Sequence, residues 1–271
     1  MNEFFKRTLT GAGFIVVMLG SIIWSPITLA ILLLIVSSLS LYEYYSIFKL
    51  RGFDPLTKTG IIAAGVILGI IFLTTQEFIP HKYLYLLIIP VFGIWFSFFM
   101  QKENIISSII VTISGLVYIV LPLALIPFIT KNELFIGYNP EILLGTLFII
   151  WIYDSCAYIS GVLFGKHKMA PGLSPKKSWE GFIGGLLFAF LFSFLLSEYF
   201  TILDRTDWMI LSIIIVLFST AGDLFESLIK REAGIKDSGK LLPGHGGILD
   251  RFDSVFFAIP GVFLYIQIFK I

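Results

Sequence analysis

Residues 105–129 read IISSIIVTISGLVYIVLPLALIPFI, a stretch in which no charged residue occurs. An α-helix rises about 1.5 Å per residue, so roughly 20 apolar residues span the approximately 30 Å hydrocarbon core of a membrane. This stretch is long enough to do so. It therefore predicts a transmembrane helix.

The composition of the whole chain supports a lipid environment. Hydrophobic residues make up 57% and charged residues 14% of the sequence, and the mean hydropathy is +0.95, which is far from a soluble domain. No fold could hide the 28 Phe side chains and the other apolar surface from water. The net charge of +1 argues against a nucleic-acid-binding protein. The single cysteine, Cys156, cannot form an internal disulfide.

Nine apolar stretches of comparable length follow one another along the chain. They cover about 8–24, 27–48, 59–76, 83–100, 105–129, 140–164, 179–200, 208–230 and 250–270. Lys6 and Arg7 precede the first stretch as in a signal peptide, but no small-residue cleavage site follows, so we expect a retained helix. The sequence predicts an all-α, polytopic transmembrane helix bundle of about nine spans.

The distribution of basic residues predicts a cytoplasmic N-terminus. With nine spans in this orientation, 15 of the 19 Lys and Arg residues lie on the cytoplasmic side. Removing or adding a helix within the chain would scramble that alternation. The two long polar connections, 165–178 and 231–249, then face the cytoplasm, where nucleotides are found.

These connections suggest a division of labour along the chain. Residues 1–139 carry few charges away from the helix ends and are interpreted as a scaffold of transmembrane helices. Residues 140–271 hold both polar connections and are interpreted as the catalytic region.

Three acidic residues of this region are candidate metal ligands. Asp250 and Asp253 lie three residues apart at the start of the last predicted helix, so they share one face. Asp223 lies in the preceding helix, where Asp223, Glu226 and Lys230 form a polar stripe. Carboxylates that converge in a low dielectric repel one another unless a cation lies between them, and oxygen ligands suit Mg²⁺. The alternative is a set of structural ion pairs, although buried ion pairs stabilise a fold poorly.

The connection Lys236–Gly247 has the composition of a phosphate-binding loop. Its glycines would let backbone N–H groups approach phosphate oxygens, and its lysines would neutralise phosphate charge. His245 is a candidate for binding phosphate or ribose or for protonating a leaving group, the alternative being a structural hydrogen bond.

A second polar segment precedes this loop. Asp154 lies inside a predicted membrane helix, and Lys176 and Lys177 precede Ser178, which could cap the next helix. A helix N-terminus with flanking lysines is a natural anion site, whereas lysines alone could simply anchor the chain at the membrane surface. Two glycine pairs, Gly161-x3-Gly165 and Gly181-x3-Gly185, are interpreted as helix-packing contacts.

The polar segments together resemble a known family. From Ser227 to Asp253 the chain follows S-x-I-K-R-x4-K-D-x-G-x2-L-P-x-H-G-G-I-x-D-R-F-D, and upstream it follows D-x2-A-Y-x2-G and SPKK-S-W-E-G. Both patterns are similar to those of the phosphatidate cytidylyltransferases (CDP-diacylglycerol synthases). The resemblance is strongest over about 150–260. It implies transfer of a cytidylyl group from CTP to phosphatidate, giving CDP-diacylglycerol and pyrophosphate for phospholipid biosynthesis.

The resemblance also implies roles for individual residues. The implied catalytic residues are Asp223, Asp250, Asp253, Lys236, His245 and Arg251, the three aspartates also being the implied Mg²⁺ ligands. The implied substrate-binding residues are Asp154, Ser174, Lys176, Lys177, Lys230, Arg231, Asp237, Gly246 and Gly247. A second cation and a homodimer are left open. The implied location is a bacterial inner membrane, with the active site facing the cytoplasm and membrane lipid around the protein.

Two other classes of function compete with this one. A related lipid enzyme, such as a polyprenol kinase or a CDP-alcohol phosphotransferase, would use another nucleotide or lipid, but the DG-x2-AR motif of the phosphotransferases is absent. A transporter would line an ion pathway with its acids and lysines, and such proteins often carry inverted repeats. Here the charges gather at one predicted membrane face and no repeat is visible.

Overall fold

The computed structural model describes residues 3–100, 104–134, 136–239, 241 and 246–270 and is dominated by α-helices. The helices are α1 Glu3–Trp24, α2 Pro26–Leu50, α3 Thr57–Thr75, α4 Ile88–Phe96, α5 Ile105–Gly115, α6 Leu121–Thr130, α7 Glu141–Phe164, α8 Trp179–Leu196, α9 Arg205–Glu232 and α10 Leu249–Phe269. A π-helical turn, Leu116–Val120, joins α5 to α6, and 3-10 turns His81–Leu87 and Ser97–Met100 flank α4. The predicted all-α, polytopic membrane architecture is confirmed.

Seven helical segments within the described ranges are long and apolar enough to cross a membrane. They are α2, α3, the continuous segment Ile105–Thr130, α7, α8, α9 and α10. The predicted spans 8–24 and 83–100 correspond to shorter apolar stretches, Thr10–Trp24 and His81–Phe96. Large apolar side chains remain on the protein exterior, as they do on Leu187, Phe188 and Leu191 of α8. Because lipid can cover such side chains and water cannot do so favourably, the chain is an integral membrane protein.

Local chemistry explains where several helices begin. Ser25 ends the first helix, and its Oγ accepts a hydrogen bond from the Thr28 backbone N–H at 3.1 Å, with Pro26 as the first residue of α2. Pro90 lies in the first turn of α4, where the N–H that proline lacks would have no partner within the helix. The Ser25 cap divides apolar sequence that would otherwise form one long helix from α1 into α2.

The predicted polar connection 165–178 contains a small β-hairpin that the sequence did not predict. Strand β1, Lys168–Ala170, pairs antiparallel with β2, Ser174–Ser178, and Lys168 lies opposite Ser178. The register shifts between Lys168 and Ala170, which marks a bulge. Directly after β2, the Ser178 Oγ accepts a hydrogen bond from the Gly181 N–H at 3.2 Å, so Ser178 caps α8 as predicted.

The chain forms two compact units. The first combines residues 1–128 with 232–252, and the second combines 129–231 with 253–271. In the first unit the buried Tyr45 donates a hydrogen bond to the Thr112 carbonyl at 2.9 Å. In the second, the buried Trp208 fills the space left by Gly145, where a Cβ would collide with the indole ring. The polar segment 232–252 groups with the N-terminal helices, and the predicted division at residue 139 into a scaffold and a catalytic region stays a prediction.

Candidate active site

Three carboxylates from three helices influence one another in the second unit. They are Asp154 on α7, Asp223 on α9 and Asp253 on α10, and the charge of Asp253 interacts with those of both other residues. Gly222 permits this arrangement, because a Cβ there would lie 2.5 Å from the Asp253 carbonyl oxygen. The backbones of α9 and α10 therefore approach closely at the point where both helices carry an aspartate.

Lys177 places a positive charge among these carboxylates. It lies near the end of β2, and its Nζ is 2.5 Å from Asp223 Oδ2. Its charge also acts on Asp154. Lys177 is half-buried, whereas the neighbouring Lys176 is exposed. The structure thus brings two residues predicted to bind substrate, Asp154 and Lys177, together with Asp223 and Asp253.

Two further basic residues lie at the C-terminal end of α9. Lys230 is buried and forms a 2.5 Å ion pair with Glu226 one turn earlier, and its charge reaches Asp253. The exposed Arg231 donates a hydrogen bond from Nε to the Leu173 carbonyl at 3.3 Å. This bond ties the end of α9 to the hairpin turn that precedes Ser174, a half-buried residue of β2.

Asp250 has a different environment, which belongs to the first unit. Its Oδ2 accepts the backbone N–H groups of Ser238 at 3.0 Å and Gly247 at 2.8 Å, and its Oδ1 lies 3.2 Å from the same Ser238 nitrogen. Asp250 therefore joins Ser238 and Gly247 within the loop between α9 and α10. This loop-holding role was not expected from the sequence, which suggested only a metal ligand.

A second carboxylate holds the same loop and was missed by the sequence analysis. Glu43 on α2 is only 3% exposed. Its Oε2 accepts hydrogen bonds from the Ser238 Oγ at 3.1 Å and from the Leu249 backbone N–H at 2.8 Å. An acid inside an apolar membrane helix costs about 2.5–3.5 kcal/mol on insertion scales. That cost is the feature of the sequence that could have indicated a role for Glu43. Its partners lie some two hundred residues away in the chain, which hid the role.

The remaining predicted residues of this loop lie in several environments. Lys236 and Asp237 are exposed, Gly247 is buried, and Arg251 is exposed on α10. Gly246 has φ +82°, a left-handed conformation that favours glycine. His245 lies outside the described residues, so its predicted roles stay predictions.

The donor set suits Mg²⁺ in part. Across the described ranges, no group of three or more His, Cys, Asp or Glu side chains is arranged to hold a metal ion. Mg²⁺ nevertheless commonly takes one or two carboxylates and completes its shell with water and substrate phosphates. Asp223 and Asp253 supply oxygen ligands of this kind.

Comparison with known proteins connects these clusters to a family. The family model described as "Cytidylyltransferase family" matches residues 5–269, nearly the whole chain. The chain belongs to the cytidylyltransferase family. The resemblance deduced from the polar motifs is thereby confirmed.

Individual members of the family match one part of the chain. A phosphatidate cytidylyltransferase of Haemophilus influenzae is 49% identical over 124 residues, which are 44% of this chain and 43% of that protein. Proteins of the same name match over 120 residues from Staphylococcus epidermidis, at 50% identity, and Staphylococcus aureus, at 48%. Each of these matches covers 44% of this chain and 46% of the relative. The chain thus spans somewhat less than half the length of the curated relatives that it matches.

Proposed function

We propose that this protein transfers a cytidylyl group from CTP to phosphatidate and releases pyrophosphate. Its membership of the cytidylyltransferase family and the names of its relatives support the reaction class and the substrates. The observation that carries the proposal is the pairing of Lys177 with Asp223 beside Asp154 and Asp253. In such a cluster the acids can hold a cation and the lysine can contact a phosphate group, and both would reduce the repulsion between two polyanionic substrates.

The proposed reaction is a substitution at phosphorus. A phosphate oxygen of phosphatidate attacks the α-phosphorus of CTP, and the bond from that phosphorus to the oxygen bridging to the β-phosphorus breaks. The electron pair of this bond leaves with pyrophosphate. The lipid phosphate is already an anion, so it needs no strong base to become a nucleophile. The demand on the protein is charge neutralisation and in-line placement of the two anions.

The side chains of the second unit suit this demand. Lys177 would leave Asp223 to contact a substrate phosphate, and Lys176 would add a second positive charge at the N-terminus of α8. Asp223 and Asp253 would hold Mg²⁺, which when bound neutralises and orients phosphate oxygens. Asp250 as a metal ligand, a second cation, and phosphate contacts from Lys236, Asp237, Gly246, Gly247 and Arg251 stay predictions.

We further propose that the protein lies in a bacterial inner membrane with its site open to the cytoplasm. The bacterial relatives and the excess of basic residues on one predicted side support this orientation. A homodimer stays a prediction.

A labelling experiment tests the reaction. Purified protein in mixed micelles with phosphatidate and Mg²⁺ would receive CTP labelled at the α-phosphate or, in a parallel reaction, at the γ-phosphate. We expect the α-label to enter the lipid fraction as CDP-diacylglycerol and the γ-label to remain in soluble pyrophosphate. Transfer of the γ-label to lipid would indicate a lipid kinase, and absence of both labels from lipid would contradict the proposal.

A further inference from the structure

The loop between α9 and α10 is held at Ser238 and again just before α10 by carboxylates of the first unit. Asp250 accepts the backbone N–H groups of Ser238 and Gly247. Glu43 accepts the Ser238 hydroxyl and the backbone N–H of Leu249, the first residue of α10. Ser238 therefore bonds to both acids, through its backbone and through its side chain. The two carboxylates fix two points of the loop, Ser238 and Gly247, beside which the predicted phosphate-binding residues Lys236, Asp237 and Gly246 lie.

Glu43 also determines which residues fit beside it. A Cβ at Gly239 would collide with Glu43 Oε1, and one at Gly247 would collide with both Glu43 and Ser238. These two glycines are thus required for packing against the glutamate. The sequence alone predicts only that these glycines let the backbone approach phosphate. The small residues of the loop and the acid on α2 form one fitted arrangement.

The position of Glu43 in the chain indicates a role beyond the packing of α2. It is the only acidic residue of α2, and it lies two turns before the end of an otherwise apolar membrane helix. Burial of a carboxylate there is costly, and its Oε2 accepts hydrogen bonds from Ser238 in the loop and Leu249 at the start of α10. The backbone N–H of Ile248 is a further donor to the same carboxylate. A neutral side chain could pack α2 without that cost.

We propose that Glu43 is a positioning residue, which holds Ser238, the neighbouring described residues of the loop and the start of α10 in the conformation that catalysis requires. The proposal rests on the proposed function for its effect on turnover. It acts through the loop: when Ser238 and Leu249 lose their acceptor, Lys236, Asp237 and Gly246 lose their fixed placement. Preorganised groups lower a barrier because they need no rearrangement as charge develops, so a loosened loop slows turnover.

The test compares Glu43→Ala and Glu43→Gln in the full-length protein in lipid micelles. A Gln carbonyl oxygen can accept the same two hydrogen bonds, whereas Ala accepts neither. We expect Glu43→Ala to lower kcat at least tenfold with KM for CTP changed less than about threefold, and Glu43→Gln to recover most of the loss. Hydrogen exchange of the peptides that carry the amides of Ser238, Gly247 and Leu249 should be faster in the Ala variant and near parental in the Gln variant.

Asp207→Asn is the matched control. Asp207 is also buried in a membrane helix, where it accepts a hydrogen bond from the Tyr265 hydroxyl and forms an ion pair with Lys270. It lies in the first turn of α9, at the opposite end of that helix from the loop. Its replacement should lower thermal stability and leave loop exchange unchanged. If Glu43→Ala behaves like this control, with a lowered melting temperature but parental loop exchange and kcat, the positioning role is wrong. If the parent protein does not turn over CTP, the proposed reaction fails, while loop exchange still decides whether Glu43 holds the loop.

Discussion

Lys177 and Asp223 form the most informative single contact of the second unit. The sequence suggested two separate roles, a lysine for phosphate and an aspartate for metal, and did not predict that the two side chains meet. They are 46 residues apart, and the ion pair is 2.5 Å long. The charge of Lys177 offsets part of the repulsion between Asp154 and Asp223. Substrate phosphate and a cation can together replace that pairing.

This exchange predicts opposite effects for two substitutions. Lys177→Gln should lower kcat/KM for CTP about ten- to a hundredfold, because a charge-assisted contact contributes roughly 1.5–3 kcal/mol. It should not weaken cation binding, since removing an ammonium group leaves the carboxylates more attractive to Mg²⁺. Asp253→Asn should weaken cation binding, which Mn²⁺ titration followed by electron paramagnetic resonance would measure without turnover. If Lys177→Gln has the kinetics of the parent protein, this lysine only anchors the chain at the membrane surface and does not bind phosphate.

Gly246 allows a second prediction on a single residue. Its φ of +82° would strain an L-residue, and a Cβ would lie 2.7 Å from Asp250 Oδ2. We expect Gly246→Ala to destabilise the loop by about 1–2 kcal/mol and to speed hydrogen exchange at Ser238 and Gly247. Gly172→Ala is the control, because a Cβ there meets no atom within 4 Å. Equal exchange in the two variants would contradict the importance of the Gly246 conformation.

At the scale of elements, α7 and α8 show how small residues build the frame of the site. Gly181 and Gly185 of α8 face Ala157, Gly161 and Tyr153 of α7, so the predicted packing role is confirmed for Gly161, Gly181 and Gly185. Tyr153 in turn bonds to Thr220 of α9 at 2.6 Å between the two hydroxyl oxygens. These contacts fix α7, and with it Asp154, against α8 and α9.

This close packing predicts the effect of a single methyl group. A Cβ at Gly185 would lie 2.8 Å from both the Ala157 Cβ and the Tyr153 ring. Gly185→Ala should therefore lower stability by about 1–3 kcal/mol, despite the better helix propensity of alanine. Gly69→Ala in α3 is the control, since no atom lies within 4 Å of that Cβ and alanine should be neutral or stabilising there. Thermal unfolding in detergent micelles would compare the two, and equal melting temperatures would count against tight packing of α7 on α8.

Some elements could be predicted and others could not, for physical reasons. A helix cap depends on residues close together in the chain, so the sequence alone predicts that Ser178 begins α8. The structure shows its Oγ accepting the N–H of Gly181, three residues later. The hairpin β1–β2 has strands of three and five residues with a bulge, too short and irregular to produce an apolar alternation. The prediction of a span at 83–100 rests on hydrophobicity alone. Hydrophobicity cannot distinguish one continuous α-helix from a short α4 with 3-10 turns on either side.

At the scale of the whole molecule, the hydrophobicity of the sequence predicts the class of fold but not which chain segments form each compact unit. The nine apolar stretches all occur in helical segments, and seven of these segments have the length and composition of a membrane span. Residues 232–252 group with the N-terminal helices, and Glu43 of α2 joins the two through hydrogen bonds to Ser238 and Leu249, a long-range effect of one carboxylate. The N-terminal region thus supplies a residue for the polar loop, where the sequence suggested only a scaffold.

The orientation of the protein in its membrane gives the last prediction. The hairpin precedes α8 and Asp204 follows it, so a membrane-spanning α8 places these two positions on opposite sides. We expect a cysteine at Gly172, in the hairpin turn, to react with an impermeant thiol reagent from the cytoplasmic side only. Cysteine at Asp204, whose side chain is 89% exposed, should react only from the other side. Both variants need Cys156→Ser, and intact spheroplasts compared with inverted vesicles give the two accessibilities. The reverse pattern would place the Lys177 cluster at the wrong face for cytosolic CTP, and reaction of both cysteines from one side would mean that α8 does not span the membrane.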